Sequence, residues 1–219
     1  MDRDSGIGRL HVITDETVQT RWSHVELARA AALGGADRVQ YREKRPRTTR
    51  ELVETARRIR RALDGTAARL VLNDRIDVAV AAGAGAVHLG RDDLDPAIAR
   101  RLVGDSMRIG ATANDLEQAL RAARLPVDYL GVGPVFGTRS KTAPAPALGL
   151  VRLAEIVRAV PLPVIAIGNI TVDHVAAVLA TGVHGIAVLS AIACAHDPRE
   201  ATSGFARAID HARSGPVAG

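Results

Sequence analysis

The stretch Asp128–Lys141, DYLGVGPVFGTRSK, changes character halfway along. Tyr129–Val132 is a short apolar run bounded by turn residues, which reads as a buried strand. The run breaks at Gly133-Pro134 and opens into the polar loop Gly137-Thr138-Arg139-Ser140-Lys141. Hydroxyls, free backbone N–H groups and cationic side chains at the C-terminal end of a strand suit a phosphate group. A polar surface turn is the competing reading of the same residues.

Residue usage separates the two readings. Of the 29 lysines and arginines, only Lys44 and Lys141 are lysine. A chain that otherwise uses arginine places a compact, rotatable ammonium at this loop and at one other strand end.

Working outward, the same strand-then-helix unit recurs. Strands are expected at Leu10–Thr14, Arg38–Arg42, Leu70–Asn73, Ala86–Leu89, Met107–Ala111, Tyr129–Val132, Val164–Ile167 and Gly185–Leu189. Between or after them, helical patterns run from Ser23 to Leu33, Arg50 to Leu63, Ile76 to Ala82, onward from Pro96, Asp115 to Ala123, Leu150 to Ala159, Val172 to Ala180 and Arg199 to Ala212. Ser23 is a good N-cap, Asp95-Pro96 supplies a cap and an N1 proline, and Gly34-Gly35 stops the first helix. Repeated β-then-α units imply a parallel sheet, and eight of them imply a closed (β/α)8 TIM barrel, α/β in class. One domain over 1–219 is expected, with short flexible tails at 1–8 and 214–219. A doubly wound open sheet is the alternative, weakened because no G-x-G-x-x-G follows the first strand.

Composition agrees. Hydrophobic residues make up 47% of the chain and aromatics only 2%, so the core is aliphatic, as helices packed on a parallel sheet require. The lone Cys194 excludes an intramolecular disulfide and reads as a small packed apolar residue. No transmembrane-length run or signal-peptide core is present, so the expectation is a soluble, cytoplasmic protein without a membrane partner. The net charge of +5 would suit nucleic acid, but the arginines lie mostly on amphipathic helices among acidic residues, and stacking aromatics are scarce. Small anionic ligands fit the positive field better.

In a barrel the site gathers at the C-terminal strand ends. Period-two alternation points Gln40, Arg42 and Lys44 the same way, toward the mouth. The three asparagines of the chain, Asn73, Asn114 and Asn169, all fall at expected strand ends. Turn and cap preference accounts for Asn114 and Asn169 but leaves the other turns without asparagine unexplained. Asp74 and Asp93 stand at adjacent strand ends, where two carboxylates near cationic groups can hold Mg2+ that also contacts substrate phosphate. A pair of helix caps is the bland alternative. His88, within a strand, reads as a packing residue or one bonded to a carbonyl. No Ser-His-Asp order or nucleophile elbow is found.

At these residues the chain resembles the thiamine phosphate synthase/TenI superfamily, in its synthase branch, over about Leu10–Ala212. The ordered motifs are VQYREK at 39–44, LND at 72–74, VHLGRDD at 87–93, GATAN at 110–114, GPVFGTRSK at 133–141, AIGNIT at 166–171 and VLSAI at 188–192. The resemblance implies a (β/α)8 barrel that joins hydroxymethylpyrimidine diphosphate to a thiazole phosphate and releases diphosphate. It implies that Gln40, Arg42, Lys44, Asn73, Thr112 and Lys141 bind the pyrimidine diphosphate, with Arg42, Lys44 and Lys141 acting on the leaving group. Thr138, Arg139, Ser140, Asn169, Leu189 and Ser190 would hold the thiazole phosphate, and Asp74 and Asp93 the Mg2+ cofactor. Arg91 and Asn169 depart from the family pattern, which more often has Gln and Gly there. A TenI-like thiazole tautomerase and a non-catalytic phosphate-ligand binder are the alternatives. The tautomerase branch tends to lose the metal carboxylates and to carry histidine where this chain has Asn114. A homo-oligomer is left open. The loop Gly137–Leu148 is expected to be mobile when empty and ordered by ligand.

Overall fold

The computed structural model describes residues 6–138, 140 and 144–214. Eight parallel strands close into a barrel in sequence order, β1 through β8, with β1 paired to β8. They are β1 Leu10–Thr14, β2 Arg38–Tyr41, β3 Arg69–Asn73, β4 Ala86–Leu89, β5 Arg108–Ala113, β6 Tyr129–Val132, β7 Val164–Ile167 and β8 Gly185–Val188. The helices are α1 His24–Leu33, α2 Thr49–Ala62, α3 Ile76–Ala82, α4 Pro96–Val103, α5 Leu116–Ala122, α6 Gly149–Ala159, α7 Val175–Leu179, α8 Ser190–Ala193 and α9 Pro198–Ser214.

Local chemistry sets the helix ends. Ser23 and Thr48 form capping boxes with Glu26 and Glu51, which satisfy the first N–H groups of α1 and α2. Asp95 accepts from Ala97 and Ile98 ahead of the N1 proline of α4. The expected elements need few corrections. β5 runs on to Ala113 rather than stopping at Ala111, because its last residues pair with Gly131 and Val132 of β6. The segment after β7 opens as a 3-10 turn, Val172–His174, before α7. The short α8 was not expected. α9 extends to Ser214, and 215–219 lie outside the described residues. Cys194 is exposed, contrary to its reading as a packed residue, because the short α8 ends there and its thiol faces the Val18 carbonyl at 3.6 Å.

Two apolar regions hold the fold. The larger lies between the sheet's outer face and the helices, with Leu10, Val12, Leu72, Leu89, Leu130 and Ile186 of the strands meeting Leu27, Ile59, Leu153 and Phe205. The smaller fills the barrel interior with Ile7, Ile13, Tyr129, Ile165 and Ala187. Ile7 is 2% exposed, so the chain is already packed before β1 begins.

Polar rings share that interior. His88 of β4 lies 3.2 Å from the Tyr129 hydroxyl and 3.0 Å from Thr112 Oγ1. Glycines make the space: a Cβ on Gly110 would stand 2.1 Å from Tyr129, and one on Gly131 would stand 2.7 Å from His88. This layer lies between the two ends of the barrel.

Candidate active site

The mouth is built from strand ends. Arg42 follows β2, and its guanidinium pairs with Asp15, which is fully buried beyond the end of β1. Asp15 also accepts from the Thr17 amide and hydroxyl, so its charge is matched on several sides. The second Arg42 nitrogen donates to the Ser140 carbonyl at 3.3 Å. One side chain thus ties the β6 loop to the opposite side of the mouth.

Lys44 Nζ donates to Asp74 Oδ2 at 2.5 Å. Asp74 has φ +65, a left-handed conformation uncommon for a residue with a Cβ. Its amide bonds to the His88 carbonyl at 2.9 Å. Asp93 Oδ2 accepts the Gly90 amide at 2.6 Å. Burial, then the neighbouring Asp74 carboxyl, raises the Asp93 pKa above the ordinary value. Neither aspartate caps a helix: Arg75 stands at the cap of α3 and Asp95 at that of α4. Two hard oxygen donors held side by side, one of them uncomfortable as an anion, form a donor set that fits Mg2+.

Gln40 is 6% exposed, and its carboxamide makes no hydrogen bond among the described residues. A carboxamide at the mouth is a group that a polar ligand can hydrogen-bond. Asn73 ends β3 level with His88, and Thr112 lies within β5 on the His88 ring. His88 therefore packs against the Tyr129 ring, one of the two roles expected of it, and also bonds the Tyr129 and Thr112 hydroxyls. Asn114 does not cap α5, a role taken by Asp115; its amide donates instead to the Gly133 carbonyl.

The β6 loop is fastened along β7. Val135 donates to Ile167 O at 2.8 Å and Phe136 to Gly168 O at 3.1 Å. Thr138 Oγ1 lies 3.0 Å from Ser140 Oγ. Asn169 has φ +53, so asparagine does adopt the left-handed turn that glycine usually fills. Leu189 and Ser190 follow β8 at the next strand end. Arg139 and Lys141 lie outside the described residues, as does part of the loop expected to be mobile. Arg91 is exposed.

One cluster escaped sequence reasoning. Ligand atoms of Glu16, His24 and Glu43 lie within 4.8 Å of one another. Arg45 already bridges them, 2.5 Å from Glu16 and 2.6 Å from Glu43. Burial would push Glu43 up, but the hydrogen bonds from Arg45 prevail and hold it down to about 2. Burial lowers His24, which keeps it neutral against Thr14 Oγ1 at 2.8 Å. The cluster clamps the β1 and β2 loops together, and so holds the chain on which Arg42 and Lys44 sit. The three residues come from three separate elements, so no spacing could have revealed them.

Comparisons place this geometry among known proteins. A family profile described as thiamine monophosphate synthase matches residues 10–192. Thiamine-phosphate synthase of Salinibacter ruber is 45% identical over 207 residues, covering 94% of this chain and 91% of that one. The corresponding protein of Agrobacterium fabrum is 45% identical over 210 residues, covering 93% and 94%. Among solved structures, thiamine phosphate pyrophosphorylase from Pyrococcus furiosus superposes with a TM-score of 0.84 at 38% identity, covering 93% of this chain and 96% of that one. The matched span runs from β1 to α8 and takes in every strand end described above, and the chain belongs to the thiamine monophosphate synthase family.

Proposed function

We propose that the protein condenses 4-amino-2-methyl-5-hydroxymethylpyrimidine diphosphate with thiazole phosphate, giving thiamine phosphate and diphosphate. The observation that carries this reading is the Lys44–Asp74–Asp93 grouping, at the mouth of a barrel from this family.

The chemistry asks for leaving-group stabilisation and positioning. The C–O bond between the pyrimidine methylene and diphosphate breaks with its electron pair on the departing oxygen. The aminopyrimidine delocalises the resulting cation, and the thiazole nitrogen lone pair then forms the new C–N bond. No proton need be removed, so no general-base histidine is required.

Asp74 and Asp93 would hold Mg2+, which when bound neutralises charge on the diphosphate oxygens. Arg42 and Lys44, with Lys141, supply cationic donors for the same oxygens. Gln40, Asn73 and Thr112 orient the pyrimidine diphosphate. Thr138, Arg139, Ser140, Asn169, Leu189 and Ser190 cradle the thiazole phosphate, holding its nitrogen near the cation. Small phosphorylated molecules are thus the partners proposed; no helix among the described residues is long and apolar enough to cross a membrane.

The test is incubation with both phosphorylated substrates and Mg2+, with assay of thiamine phosphate and diphosphate. Formation of both products in equal amounts is expected. Absence of product, or isomerisation of the thiazole phosphate alone, would overturn the reading.

A further inference from the structure

Strand register brings two residues of opposite charge to the same level of the mouth. Thr14 of β1 pairs with Tyr41 of β2, so the residues that follow, Asp15 and Arg42, leave the barrel side by side. The Arg42 amide donates to the Thr14 carbonyl at 3.2 Å, which extends the pairing by one residue and fixes the backbone beneath both side chains. The Arg42 guanidinium donates to Asp15 through Nη1. The Asp15 side chain is fully buried, and that of Arg42 is 12% exposed.

We propose that Asp15 is a positioning residue for the reaction: it holds the Arg42 guanidinium in the orientation that receives the diphosphate of the pyrimidine substrate. The inference rests on the function proposed above, in which Arg42 acts on the leaving group, and extends it to a residue outside that set.

Three observations support it. First, the two carboxylate oxygens of Asp15 have separate duties. Oδ1 accepts the Thr17 amide at 2.7 Å and the Thr17 hydroxyl at 2.6 Å, while Oδ2 takes Arg42. The carboxylate is thus anchored independently of the guanidinium it holds. Second, the two terminal nitrogens of Arg42 differ. Nη1 is committed to a buried charge, whereas Nη2 donates to the neutral Ser140 carbonyl at 3.3 Å. A bond to an anionic oxygen is roughly twice as strong as one to a neutral acceptor, so Nη2 is the end able to exchange its partner for a diphosphate oxygen. Third, Arg42 needs carboxylates to stay where it is. Burial works against its charge, and the Asp74 carboxylate supports it; without Asp15 the buried guanidinium would lose the acid it touches. Ordering a side chain as long as arginine costs conformational entropy. Asp15 does this on folding, so diphosphate meets a guanidinium already in place.

The experiment is a double-mutant cycle on the full-length protein. Wild type, Asp15→Asn, Arg42→Gln and the double variant are titrated with inorganic diphosphate at fixed Mg2+ by calorimetry, and thiamine phosphate formation is followed in parallel. Asp15→Asn keeps the size of the side chain and removes the charge that holds Nη1. It is expected to weaken diphosphate binding on the order of tenfold, and to lower kcat/KM for the pyrimidine diphosphate by a similar factor. Added to Arg42→Gln it should cost nothing further, because no guanidinium is left to position. A merely structural role would add its loss in both backgrounds. Because Asp15 is buried, Thr17→Val serves as a gentler variant: it removes one hydroxyl from an exposed residue and one bond to Oδ1, and should weaken binding by about threefold. Equal diphosphate binding by wild type and Asp15→Asn would overturn the inference, as would an additive cycle. Where Asp15→Asn does not fold, equal binding by wild type and Thr17→Val overturns it. If wild type shows the expected cycle but forms no thiamine phosphate, the reaction assigned to the mouth fails and the hold of Asp15 on a diphosphate-binding arginine stands. Product formation with an additive cycle fails Asp15 alone, and no diphosphate binding by wild type fails both.

Discussion

The two ends of this barrel use the same strands for different electrostatics. At the mouth three cations each face a carboxylate: Arg42 with Asp15, Lys44 with Asp74, Arg45 with Glu16 and Glu43. At the opposite pole Arg69 leans on the carbonyls of Thr66, Ala67 and Ala68, while Arg108 and Arg100 share Asp128. A mixed-sign mouth can bind a metal and a polyanion together, and can exchange ion-pair partners when a charged ligand arrives. The lesson is that +5 overall says little about either end; the sign of each end depends on which acids are within reach of its bases.

The largest expected effect tests the mouth. Asp74→Asn keeps size and hydrogen bonding but removes charge, and turnover should fall on the order of 100-fold. Asp93→Ala should act similarly, and the double change should cost far less than the product of the singles, because both remove the same ion. Steady-state rates over a Mg2+ series check this; near-normal turnover of Asp74→Asn at limiting Mg2+ would make Asp74 a turn residue only.

A second experiment strikes the layer between the ends. Gly110→Ala places a Cβ 2.1 Å from Tyr129 and 2.6 Å from His88. Because both rings are enclosed, overpacking should cost about 1–3 kcal/mol in urea unfolding. An unchanged midpoint would show that the ring layer yields freely.

Acid should reach the pole before the clamp at the mouth. The folded pKa of His11 is depressed to about 3, below the ordinary 6.5, so its stabilising contribution is complete above 6.5 and is lost as pH falls toward 3. His24, lowered by burial, adds to the same slope. Glu43, depressed to about 2 from 4.5, contributes above 4.5 and is lost only as pH falls toward 2. Thermal midpoints from pH 7.5 to 5.5 should therefore decline in wild type and decline less in His11→Gln. Identical slopes would remove His11 from this account.

The smallest effect expected is at Arg91. It is exposed, so Arg91→Gln should change turnover by less than about twofold, within the range typical of free surface positions. A larger loss would bring this departure from the family pattern into the diphosphate site.

Much of this was legible in the residues. Alternating apolar runs and helix caps are local signals, so Leu10–Thr14, Ile76–Ala82 and Ala86–Leu89 were found with their ends correct. Eight such units in one chain leave few ways to bury both faces of every strand, and barrel closure follows. The mouth residues were legible because period-two alternation and rare residue types, two lysines and three asparagines, mark strand ends. Other features depended on the tertiary structure. The Glu16–His24–Glu43–Arg45 clamp joins residues from separate loops, the bond from Arg42 to Ser140 spans the mouth, and Arg38, Arg69 and Arg108 converge only when β2, β3 and β5 curve into one ring. Charge pairing acts over a few ångströms of space rather than along the chain, so the sequence could name the bases and acids, and only closure of the barrel could decide which of them meet.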